Sequence, residues 1–219
     1  MIKNNSTGKP NFSQRLNPDD TTTPWNETLE TCNVTSACTA MVTAGYDLAK
    51  YNKGLHERSA MDLLYFMRNN RRCVSMYNMI DPKHASPMNE WMPVLATAIE
   101  EYLDIHAAPL VFGCAEVSIK AHIDAGDGMV IHGYYQFIRK DGVSRVGSGH
   151  FQSLCGYVQE DTGNKVISSF IVDDPFGDPN THYVSQAGDN VLISRKMWQE
   201  QVKPYGVGGK DVIIIPRAV

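Results

Sequence analysis

The sequence predicts an α+β protein in which helices fill the first half and strands fill the second. Apolar residues with the three- and four-residue spacing of amphipathic helices predict helices over 32–51, 57–69 and 91–103. A shorter helix over 117–125 is expected to end at Gly126. Runs of β-branched and aromatic residues then predict strands at 129–137, 149–157, 166–172, 191–194 and 212–215. Helices followed by strands are typical of α+β architecture, here with an antiparallel sheet.

The length of the chain, 219 residues, suits one domain with a sizeable core. We predict a disordered lead-in over 1–11 and a single domain over 12–219. The start of the chain lacks the apolar core of a signal peptide, so we expect synthesis in the cytoplasm. The five cysteines are odd in number and form no CxxC pair, which favours reduced thiols.

Composition argues against several classes of function. The net charge of −4 gives no electrostatic case for nucleic-acid binding, and no apolar run is long enough for membrane insertion. The histidines show no metal-ligand spacing, so we expect no cofactor. A zinc site built from distant Cys and His residues is the less favoured alternative. Oligomeric state is not predicted.

Cys32 stands at the predicted start of the first helix, after a polar, turn-prone stretch. The first turn of a helix carries unpaired backbone N–H groups and the positive end of the helix dipole, which favour a thiolate. This environment suits a nucleophile. The alternative is a buried cysteine without a role, which is what we expect for Cys38, Cys73, Cys114 and Cys155.

A base and an orienting acid follow Cys32 in the chain. His150 lies at the start of one predicted strand, and Asp174 lies at the end of the next. Neighbouring strands can place them side by side, with His150 accepting the thiol proton and Asp174 holding the imidazole. Pro175 cannot extend the ladder, so the strand should end there. Asp173 is the less favoured acid, and Asp174 could instead only open a turn.

These residues carry a family resemblance. The order of the Cys32 helix, the Gly-His and Gly-Tyr pairs of 149–157, and Asp-Pro-Phe-Gly at 174–177 resembles papain-like cysteine peptidases of the bacteriocin-processing peptidase-like family. The similarity covers roughly 12–216 and matches poorly at about 55–110. Residues 183–194 resemble phage and bacterial members that act on cell walls. The resemblance implies a papain-like fold, with the nucleophile helix packed on a C-terminal antiparallel sheet.

The resemblance also implies a glutamine in the oxyanion hole, on the segment before the cysteine. Gln14 is the favoured candidate and Asn26 the competitor, with the Cys32 backbone N–H as second donor. The implied activity is peptide-bond hydrolysis by a Cys-His-Asp mechanism, on a peptide or peptidoglycan substrate reached after release to the cell wall. The alternatives are a processing protease for one polypeptide and an inactive papain-fold binding protein.

Overall fold

A computed structural model describes the chain at residues 1–16, 31–80, 91–106, 110–138, 144–161, 166–204 and 208–219. Within these residues, seven strands form one antiparallel sheet. The strands are β1 (Ile2–Asn4), β2 (Leu110–Cys114), β3 (Gly128–Ile138), β4 (Ser144–Gln159), β5 (Ile167–Asp173), β6 (Val191–Ser194) and β7 (Lys210–Ile215). Their order is β2-β7-β3-β4-β5-β6, and β1 pairs with β4.

Most helices of the described ranges precede strands β2 to β7 in the chain, as the sequence predicts. The α-helices are α1 (Cys32–Thr43), α2 (Leu48–Tyr51), α3 (Ser59–Asn69), α4 (Arg71–Ile80), α5 (Met92–Leu103), α6 (Glu116–Ala125) and α7 (Arg195–Gln201). The predicted α+β class is confirmed. None of the helices in the described ranges has the length and apolarity needed to span a bilayer.

The helix that begins at Cys32 lies against one face of the sheet, on β3 and β4. A Cβ built at Gly128 would lie 2.0 Å from the Ala40 carbonyl oxygen, so only glycine allows this close approach. Toward the N-terminus of α1, the Ser36 hydroxyl donates to the Phe151 carbonyl at 2.9 Å. Val130 and Phe151 share a core cluster with α1, whereas Ile131 belongs to a second cluster on the other face.

The predicted helix over 32–51 is wrong in its second half. The helix ends at Thr43 because Gly45 adopts φ 98°, which stops helical propagation. A new turn of helix starts at Leu48, where the Asp47 carboxylate accepts from the Ala49 N–H at 3.2 Å. The break matters little for the site, because Cys32 lies at the opposite end of α1.

Residues 71–80 lie outside the helices predicted from the sequence, but they form α4. Asn70 is extended, with ψ 123°, and interrupts the helical run after Asn69. Its side-chain oxygen accepts from the N–H groups of Arg72 and Cys73 at 3.0 and 3.1 Å and so caps the new helix.

The expected disordered lead-in is also wrong over residues 2–4. Ile2, Lys3 and Asn4 pair with Val158, Tyr157 and Gly156 of β4. This part of β4 lies beyond its pairing with β3, which ends at Leu154, so an unpaired strand edge is available there. Three residues are too few to show strand periodicity in a sequence.

Candidate functional site

Cys32 occupies the first position of α1, and the residue is 9% exposed. The preceding Thr31 has non-helical dihedral angles, φ −96° and ψ 11°, and its side chain does not cap the helix. The positive end of the helix dipole therefore faces the Cys32 thiol without a competing hydroxyl cap. The predicted position at the start of a helix is confirmed.

His150 and Asp174 are joined by a buried hydrogen bond. The His150 Nε2 and Asp174 Oδ1 atoms lie 2.8 Å apart, and His150 is 3% exposed. Because Nε2 is occupied, Nδ1 is the ring atom left for the Cys32 side chain, which also hydrogen-bonds the imidazole. The structure thus brings Cys32, His150 and Asp174 together from the α1 start, β4 and the end of β5.

The Asp174 carboxylate is held by donors from several directions. Its Oδ1 accepts from the N–H groups of Phe176 and Gly177 at 2.8 and 3.2 Å. Its Oδ2 accepts from Gln152 Nε2 at 2.6 Å and from the Tyr183 hydroxyl at 3.2 Å. Asp174 therefore both opens a turn before Pro175 and orients the imidazole, two roles that the sequence presented as alternatives.

Asp173, the alternative acid, makes different contacts. Its Oδ1 accepts from the Asn190 N–H at 2.8 Å. Burial raises its pKa above the usual range, which favours the neutral form. Asp173 thus lies outside the Cys32–His150 arrangement.

Gln14 is buried and begins a short 3-10 helix, Gln14–Leu16. Its N–H donates to the Pro175 carbonyl at 3.0 Å, one residue from Asp174. Two residues earlier, the Phe12 N–H donates to the Thr39 hydroxyl of α1 at 3.3 Å. The segment is therefore fixed between α1 and the Asp174 turn. The competing candidate, Asn26, lies outside the described residues.

Aromatic rings enclose the imidazole. The rings of Tyr183, Tyr135 and Phe176 meet that of His150 edge-on, with centroids 5.5, 6.1 and 6.3 Å away. Burial opposes protonation, but the charge and hydrogen bond of Asp174, together with smaller contributions from Cys32, outweigh it and raise the pKa of His150 to about 10. The arrangement therefore favours an imidazolium beside the Cys32 sulfur.

The pKa of His132, on the neighbouring strand β3, is lowered rather than raised. Burial, followed by the positive charges of Lys203 and His150, lowers the pKa of His132 to about 4.

We expect NMR titration of the imidazole resonances to show His132 neutral and His150 charged at pH 7. H132Q and H150Q variants assign the signals. Midpoints of both near the ordinary value of about 6.5 would contradict this electrostatic picture.

The four other cysteines are buried and free, as expected. Burial raises the pKa of each thiol, to about 12 for Cys73 and above its usual range for Cys38, Cys114 and Cys155. A protonated, buried thiol is a poor nucleophile. In the described part of the chain, no cluster of three or more His, Cys, Asp or Glu residues is arranged to hold a metal ion.

Sequence reasoning missed two residues that hold Asp174. Gln152 lies two positions after His150 on the same strand, and that alternation could have indicated it. Tyr183 offered no such signal, because it reaches Asp174 only through the fold of the loop after β5. Its backbone lies in the left-handed region, with φ 66°, which is uncommon for a tyrosine.

Comparisons with known proteins bear on the fold. A crystal structure of a proposed C39-like peptidase from Bacillus anthracis is similar over 100% of this chain and 98% of that one, with a TM-score of 0.55 and 16% identity. The chain has a papain-like fold. No protein-family model matches the sequence, and no curated protein is significantly similar to it. The structural likeness, at this identity, supports the architecture and leaves the chemistry to the residues of the site.

Proposed function

We propose that the protein is a cysteine peptidase or amidase that forms an acyl-thioester on Cys32. The observation that carries this proposal is the convergence of Cys32, His150 and Asp174 in a papain-like fold. A nucleophile, a base in contact with it and a third group that orients the base are what acyl transfer from an amide requires.

The proposed reaction has two steps. The Cys32 thiolate attacks the carbonyl carbon, a C–S bond forms, and the C–N bond breaks as the His150 imidazolium gives its proton to the leaving amine. Water then attacks the thioester while His150 accepts a proton from it, the C–S bond breaks, and the thiolate is restored. The Asp174 carboxylate stabilises the imidazolium at the start of each cycle.

Gln14 is the proposed side-chain donor to the oxyanion, together with the Cys32 backbone N–H. We expect Q14A to lower kcat by about 10²- to 10³-fold with little change in KM, because this hydrogen bond strengthens as charge develops on the oxygen. The assay is steady-state hydrolysis of a peptide that the wild type cleaves. S13A is the matched control, since Ser13 adjoins Gln14 and its hydroxyl contacts the Pro175 carbonyl at 3.4 Å. Equal loss in Q14A and S13A would assign Gln14 a structural role only.

Peptide bonds of peptidoglycan are the proposed substrate, supported by the resemblance of residues 183–194 to wall-acting phage and bacterial members. The deciding experiment incubates purified sacculi and, in parallel, a mixture of unfolded polypeptides with wild type and C32A, and measures newly formed amines. Wild-type release from sacculi alone supports a wall hydrolase. Release from polypeptides alone would instead indicate a protease that processes protein substrates. Release by neither, with intact folding, would contradict the proposal.

A further inference from the structure

Lys203 is a half-buried cation whose backbone is fixed to the sheet. Its N–H donates to the His132 carbonyl at 2.8 Å, and its own carbonyl accepts from the Asp211 N–H at 3.1 Å. The adjacent Val202 bridges to Gly133 of β3. A Cβ at Gly133 would lie 2.7 Å from the Gln201 carbonyl oxygen, so glycine permits this close attachment. Lys203 is therefore held in place rather than placed on a loose surface loop.

The Lys203 ammonium group contacts aromatic rather than acidic groups. It donates to the Tyr134 hydroxyl and lies 3.9 Å from the centroid of that ring. None of the ion pairs within the described residues includes Lys203. A partly desolvated cation is costly unless an anion pairs with it.

The position of Lys203 relative to Cys32 follows from the direction of α1. Ala40 lies over Gly128, and the Ser36 hydroxyl donates to the Phe151 carbonyl, so the helix runs toward the 132–134 end of β3 as it nears Cys32.

His132 lies on the α1 face of the sheet, because its ring stacks on that of Phe151 with centroids 4.6 Å apart. Tyr134 follows two positions later on the same face and pairs with Gly149, the neighbour of His150. The half-buried His132 and Tyr134 thus extend the face on which α1 packs past the N-terminus of α1, and Lys203 borders them.

We propose that Lys203, steadied by Tyr134, binds a carboxylate that the substrate carries close to its scissile bond. This inference rests on the proposed peptidase function and gives its substrate class: peptides with a free carboxylate flanking the cleaved amide. Because His132 is neutral, Lys203 supplies positive charge beside it, in a chain whose net charge is −4. A positive site on an acidic protein attracts anions locally.

The first test measures this selectivity without requiring hydrolysis. N-bromoacetyl-glutamic acid α-amide and N-bromoacetyl-glutaminamide alkylate a cysteine by the same chemistry, and the first carries one side-chain carboxylate where the second carries none. We expect the acid to inactivate Cys32 faster, and the rate ratio to fall about five- to tenfold in K203M. K203R should keep the preference. K196M, which removes a lysine 81% exposed beside Glu200, should leave it unchanged.

An equal rate for the two reagents in wild type, or a preference that survives in K203M, would overturn the inference even for an active peptidase. A Lys203-dependent preference in a protein that cleaves no amide would support the carboxylate site and contradict the peptidase function. If K203M fails to fold, K203Q and Y134F carry the same comparison, with Y134F expected to weaken the preference only in part.

The second test identifies the source of the carboxylate. Peptides with Asp or Glu near the cleavage site are compared with their amide counterparts, and intact sacculi with sacculi whose free carboxyl groups have been amidated. The site is supported if amidation lowers cleavage in either arm and the difference between acid and amide substrates disappears in K203E. The arm that shows this result identifies the source of the carboxylate. Indifference in both arms would overturn it.

Discussion

The C32A protein will fold as the wild type does and will hydrolyse peptide substrates slower by on the order of 10³-fold or more, because the covalent route is lost. Folding should survive because alanine fits the small volume of Cys32 at the start of α1, and the substitution removes the thiol contact to His150 without adding bulk. The measurement pairs hydrolysis rates with thermal unfolding followed by circular dichroism.

C114A is the matched control for C32A. Cys114 is also nearly buried, but it lies on β2, and its thiol makes only a 3.9 Å contact with the Ala115 carbonyl. C114A should keep full activity and rapid single alkylation by iodoacetamide, whereas C32A should lose both. Hydrolysis by C32A at the wild-type rate would remove Cys32 from the mechanism.

D174N should lower kcat by about 10²- to 10⁴-fold and destabilise the fold. The amide removes the negative charge that favours the protonated form of His150. It also replaces one carboxylate oxygen by an N–H₂ group, so that the donors around position 174 have a single oxygen left to accept from them. Breaking a buried ion pair by removing one partner costs about 3–5 kcal/mol. Steady-state kinetics and urea unfolding report the two effects separately.

The pH dependence of stability gives D174N a second signature. In the wild type the folded-state pKa of His150 is raised to about 10, above the ordinary 6.5, so the charged imidazolium stabilises the fold. That stabilisation is complete below about pH 6.5 and is lost as the pH rises through about 10. D174N should show a flatter profile across this window, because its His150 pKa lies nearer the ordinary value.

D173N provides the control on the adjacent carboxyl. Burial already favours the neutral form of Asp173, so an amide of the same shape should be tolerated with activity within a few-fold of wild type. Activity kept in D174N and lost in D173N would reverse the roles assigned to the two acids.

Much of this arrangement could be predicted from the sequence because its parts have local signals. Cys32 follows a polar stretch and precedes an apolar helical period, and Asp174 precedes a proline that ends a strand. The bounds of α5, α6 and β6 likewise follow from their patterns, with Gly126 ending α6 at φ 88°.

The parts that could not be predicted depend on tertiary contacts. Asn70 caps α4 only because the chain turns there. Ile2–Asn4 form a strand only because β4 extends beyond its pairing with β3 and offers a free edge. Lys203 shows the same limit. Nothing in its neighbours in the chain indicates that it lies beside Tyr134, and the contact exists because Gly133 admits the 201–203 backbone against β3.

The loop from Pro175 to Gly188 has a consequence for redesign of the protein. The base of the loop is closed by the Asp174 N–H, which donates to the Gly188 carbonyl at 2.7 Å. Within the loop, the Tyr183 hydroxyl donates to the Asp174 carboxylate. An insertion or graft in this loop would therefore disturb the acid itself. The 201–203 segment is attached by backbone bonds that any residue at 203 except proline preserves. Substrate preference should be more readily exchanged at that segment, with the proposed catalytic geometry left intact.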